Sequence, residues 1–109
     1  MEAACRIAGC KSPVPAELAA ETVCVSHFTL SIEQMCAELR RETVRGATDP
    51  SRTEEIIAYI AASAQKLSRV ATNSPRLPDD MKARILNTFL TLMNLRENLD
   101  RAMQRAANR

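Results

Sequence analysis

The chain has 109 residues, 46% of them hydrophobic and 26% charged, so it can enclose one core of useful size and is too apolar to be mainly disordered. Aromatic residues make up 3% and Trp is absent, while the apolar mass is carried by good helix formers, which argues against an all-β fold. The net charge of +2 falls far short of the basic excess of a dedicated nucleic-acid binder. Gly9 and Gly46, the only glycines, stand alone, which excludes the glycine-rich loops that cradle nucleotide phosphates. No apolar run approaches the ~18 residues of a membrane span, and the opening residues lack a basic and apolar leader, so a cytoplasmic protein with no membrane contact is expected.

The first element in chain order is built from cysteine. Cys5, Cys10 and Cys24, with the sole histidine, His27, fall in two close pairs within 23 positions. Two pairs of soft ligands separated by a loop suit a tetrahedral zinc ion, because each pair reaches the ion from a short turn and the loop lets the pairs meet. Gly9 relaxes the first turn so that amide groups can point at the thiolates. Ser12-Pro13-Val14-Pro15 is a stiff stretch inside the loop, Ala16 to Glu21 can form a helical turn, and at most two very short strands fit there. Disulfides would need an oxidising compartment, which nothing suggests. The closely set cysteines of ferredoxins are absent, and unligated thiols are the plain alternative. Cys36 keeps helical spacing with Ile32 and Leu39 and reads as a core residue.

These residues, Cys-Arg-Ile-Ala-Gly-Cys followed by Cys-Val-Ser-His, resemble the small treble-clef and zinc-knuckle modules. The resemblance covers residues 5–28 only. It implies that the first pair sits on a turn and the second at the start of a helix.

The periodicity predicts an all-α architecture: a three-helix bundle with a long antiparallel hairpin, and a zinc-binding lobe over residues 1–30 packed as one unit on the bundle of residues 31–109. Phe28, Ile32, Met35, Cys36 and Leu39 mark the first helix, with Ser26 as its cap, His27 in its first turn, and an end near Arg45-Gly46. The second helix starts at Asp49-Pro50 or at Ser51, carries Ile57, Ile60, Ala64, Leu67 and Ala71, and ends before the prolines at 75 and 78. The third starts at Asp79 or Asp80 and runs to about Ala107. Its apolar stripe, Met81, Ile85, Leu86, Phe89, Leu90, Leu92 and Met93, is wide. Leu95, Leu99 and Met103 extend it past the expected reach of the second helix, which suggests a homodimer or a protein partner there, with Leu86, Leu90 and Met93 as the other face to consider.

For function, three Cys and one His fill all four positions of a zinc ion, leaving none for substrate. The deaminase pattern is missing, although Glu17 or Glu21 could stand near the metal as a base. A Cys–His nucleophile would need the residues that the metal consumes. The expectation is therefore a non-enzymatic, zinc-containing helical interaction module with an adaptor or regulatory role. The alternative is nucleic-acid binding through Arg40, Arg41, Arg45 and Arg52, a group that Glu38 and Glu42 can also neutralise.

Overall fold

Apolar side chains recurring every three or four positions are buried along three helices in the structure, a computed structural model that describes residues 4–44, 49–74 and 76–108. Helix α1 spans Val25–Val44, α2 spans Pro50–Asn73 and α3 spans Asp79–Ala107. Ile32, Cys36 and Leu39 of α1 meet Ile56, Ile60, Leu67 and Val70 of α2 and Ile85, Leu92, Leu95 and Leu99 of α3 in one core. That spacing is what one face of an α-helix requires. There is no strand among the described residues, only an isolated antiparallel bridge between Ala4 and Pro13.

The starts of the helices follow from capping. The Asp49 carboxylate accepts a hydrogen bond from the Arg52 amide at 2.7 Å, with Pro50 in the first turn, so Asp49 rather than Ser51 caps α2. Helix α1 begins one residue before the expected cap Ser26, because the Cys24 carbonyl already accepts from the Phe28 amide at 2.9 Å. The end expected at Arg45-Gly46 lies outside the described residues. Asp79 and Asp80 open α3, where carboxylates complement the positive end of the helix.

Pro50 and Thr53, at the start of α2, line the same groove as Leu99 and Met103 near the end of α3 and Arg40 and Thr43 near the end of α1. Helix α2 therefore runs antiparallel to both neighbours. Glu33 of α1 accepts from Arg84 Nε at 3.1 and 3.2 Å, which ties α1 alongside the first half of α3.

This register corrects one expectation. Leu95 and Leu99 do not overhang the second helix: they are 2% and 4% exposed, whereas Met103 is 47% exposed. The first turn of α2 reaches the level of Met103, and the end of α1 lines the same stretch. At ~1.5 Å per residue α3 is about 43 Å long, and the molecule is correspondingly elongated, 55 × 25 × 18 Å.

Candidate metal centre

The N-terminal lobe is held by local backbone bonds before it is held by anything else. The Cys10 amide donates to the Ile7 carbonyl at 3.0 Å, closing the turn between the first two cysteines, and the Cys5 amide donates to the Ser12 carbonyl at 3.0 Å. Gly9 takes φ +81° in that turn, a left-handed conformation that costs glycine little. A 3-10 turn at Ala16–Leu18 buries Leu18. The chain then reverses through Thr22, at φ 56°, a strained conformation for a β-branched residue, and delivers Cys24 to the start of α1. The Arg6 amide donates to the Thr22 carbonyl at 2.9 Å and joins the two halves of the lobe.

Cys24 and His27 stand one helical turn apart and share a face, so the i, i+3 spacing aims both side chains at the knuckle formed by Cys5 and Cys10. The Sγ atoms of Cys5 and Cys24 lie 3.4 and 3.2 Å from His27 Nδ1, and the Sγ atoms of Cys10 and Cys24 lie 3.9 Å apart. All four ligand atoms fall within 4.8 Å of one another. A tetrahedron with Zn–S of ~2.3 Å and Zn–N of ~2.0 Å has edges of about 3.5 to 3.8 Å, so the cluster has the size of one metal coordination sphere. Cys5 and Cys24 are buried and Cys10 and His27 half-buried, so the donor set is closed by protein on most sides.

The electrostatics are uneven. Burial pushes the Cys5 thiol up, but the amides of Ile7 and Cys24 and the side chains of Cys10 and His27 outweigh it, leaving a pKa of about 6 against an ordinary 9.0. The Cys24 thiol is raised, first by burial and further by Cys10 and Cys5. A site whose amides already favour one thiolate is prepared for a cation, which would draw the remaining protons off. Cys36 lies away from this cluster, buried in the core with its thiol raised by that burial.

The other residues singled out from the sequence are dispersed. Arg40 and Arg41 are exposed on α1 and Arg45 lies outside the described residues. Arg52 is engaged, its Nε 3.1 and 3.2 Å from the Glu42 carboxylate and its Nη1 3.2 Å from Glu55. Glu21, a conceivable base beside the metal, pairs with Lys66 of α2, so it fastens the lobe to the bundle. Sequence reasoning missed that pair and the pair of Glu33 with Arg84, since partners 45 and 51 positions apart carry no local signature. It also missed the groove between lobe and bundle, where His27 and Arg6 face Tyr59 and Lys66. Comparison of the chain with protein-family models, with curated proteins and with solved structures finds no match.

Proposed function

We propose that the chain is a non-enzymatic interaction module in which a zinc ion bound by Cys5, Cys10, Cys24 and His27 stiffens the N-terminal lobe while the helices offer a surface to a protein partner, in an adaptor or regulatory role. The observation that carries the reading is the closed four-residue donor set at tetrahedral spacing. Three thiolates and an imidazole suit zinc, and four protein ligands leave no coordination position for water or substrate. When bound, the ion supplies a structural cross-link between the knuckle and the start of α1. Four free cysteines suit a reducing compartment, and no helix among the described residues is long and apolar enough to cross a membrane.

Nucleic-acid binding is the weaker reading for two reasons. Arg52, Lys66, Arg84, Arg96 and Arg101 each face a carboxylate of this chain, which reduces the cation available for phosphates. Phe28 is buried and Tyr59 and Phe89 are half-buried against the core, which leaves little aromatic surface for base stacking.

Metal analysis and cobalt substitution test the proposal. Purified protein should hold one zinc per chain, and Cys24→Ser or His27→Ala should lower that content sharply. The cobalt form should show tetrahedral thiolate spectra that added azide or cyanide leaves unchanged, because all four positions are filled. A spectrum that shifts with the added anion would indicate an open, catalytic type of site, and protein purified without metal would refute the zinc assignment. A salt-dependent shift of labelled DNA or RNA that disappears on charge reversal at Arg40 and Arg41 would favour the other reading.

A further inference from the structure

Leu86, Leu90 and Met93 are 57%, 54% and 36% exposed, one above the other on α3. With ~100° between successive residues, their line runs roughly 150° around the helix from Ile85, Thr88, Leu92, Leu95 and Leu99, the positions that face the bundle. Neither α1 nor α2 can reach it. Large apolar side chains stacked on the outer face of a helix, with none of the described residues over them, mark a contact surface.

Charge on the same face indicates what covers it. Lys82 lies one turn before Leu86, and Glu97 lies one turn beyond Met93. Asp79 and Arg101 follow at the outer ends. If a second copy of α3 is laid antiparallel on this face with a twofold axis at Leu90, Leu86 meets the partner's Met93, Lys82 meets the partner's Glu97, and Asp79 meets the partner's Arg101. Each of these charges then faces its opposite, Glu97 and Arg101 keeping the pair that they form with each other within one chain, while Asp100 on the same side is held by Arg96. In a parallel arrangement each would face its own copy, Lys82 on Lys82 and Glu97 on Glu97. The face is self-complementary in one direction only, which is what an isologous interface demands.

We propose that the chain forms a twofold dimer through the outer face of α3, antiparallel, with Leu90 at the axis. This rests on the reading of the chain as an interaction module and names its partner as a second copy. It moves the contact from Leu95 and Leu99, which the core uses, to the opposite side of the same helix.

Sedimentation equilibrium of the full zinc-loaded chain, from micromolar to millimolar, tests it. The unaltered protein should show a monomer–dimer equilibrium. Leu90→Glu, at an exposed position and so compatible with folding, should weaken it roughly a hundredfold by setting like charges together at the axis. Lys82→Glu should weaken it roughly tenfold, and Lys82→Glu combined with Glu97→Lys should restore it, since opposite charges again face one another. An unaltered protein that is monomeric throughout overturns the proposal, as does a Leu90→Glu variant that pairs like the parent. A double variant no tighter than Lys82→Glu overturns the antiparallel register. Zinc content and helicity measured on the same samples separate the two readings: a dimer without zinc refutes the metal assignment and leaves this inference standing, and a zinc-loaded monomer does the reverse.

Discussion

Cys5 and Cys24 make the two ends of the metal centre respond to pH in opposite senses. Burial raises the Cys5 thiol, but the hydrogen bonds it receives bring its pKa to about 6, against an ordinary 9.0. Between those values Cys5 is ionised in the folded chain and protonated in the unfolded one, so the unfolded state binds more protons and stability rises with pH. The contribution is complete above 9.0 and lost as pH falls through about 6. Cys24, raised by burial, behaves oppositely: above 9.0 the unfolded thiol ionises while the folded one keeps its proton, and stability falls. In metal-free protein this titration acts on the closing of the lobe: tryptic cleavage at Arg6 and Lys11, relative to an unstructured peptide at the same pH, should be slowest near pH 9, and Cys5→Ser should remove the gain in protection on the acid side. Protection that is flat between pH 6 and 9 in the parent would refute this account of Cys5. The clustering of Cys5, Cys10, Cys24 and His27 was legible in the sequence because short spacings, one across a glycine-bearing turn and one across a helical turn, fix their geometry locally. Lys66 and Glu21 were not, since only the packing of the lobe on α2 brings them together.

At the scale of elements, helix existence was written in the apolar period, and the boundaries of α2 and α3 in Asp49-Pro50 and in the prolines at 75 and 78. Register was less legible. How far α2 reaches along α3 depends on how sharply a five-residue connection reverses, and periodicity carries no term for that. Leu99 was consequently placed on an overhang, although the first turn of α2 and the end of α1 enclose it. The energetic consequence is direct. Leu99→Ala removes a buried side chain from a site that cannot fully collapse and should cost about 2–5 kcal/mol. The pair of Glu33 with Arg84 joins α1 to α3, but its side chains remain about a third exposed, at 37% and 34%, so Glu33→Gln should cost less than about 1 kcal/mol. Denaturant titration of both variants checks the order, and a Glu33→Gln loss exceeding that of Leu99→Ala would mean that the ion pair, rather than apolar packing, sets the position of α1. Neither change should alter the dimer affinity, because both positions lie off the outer face of α3.

For the whole molecule, the question is whether metal centre and bundle unfold together. Cys5, Val14, Leu18, Val23 and Cys24 belong to the same buried cluster as the helices, yet among the described residues the lobe's own regular structure amounts to one 3-10 turn and one bridge. The bundle, in contrast, keeps Ile56, Ile60, Leu67, Val70 and Leu92 buried along two long helices. Metal binding in small zinc domains is worth on the order of 10 kcal/mol of folding free energy, far more than the few buried side chains of the lobe can replace, since each contributes roughly 1.5–3 kcal/mol against the entropy of ordering about twenty residues. Removing the metal should thus open the lobe and leave the bundle folded, a local rather than a global transition. Arg6 and Lys11 are exposed lobe residues, close to the ligands Cys5 and Cys10, so limited trypsin digestion reports the opening directly. Zinc-loaded protein should resist cleavage at both, and chelator should make these the first bonds cut while the far-ultraviolet helix signal falls only slightly. If chelation instead abolishes the helix signal in one step, the lobe and the bundle form a single cooperative unit, with Leu18 and the pair of Glu21 with Lys66 coupling them more strongly than the burial pattern implies.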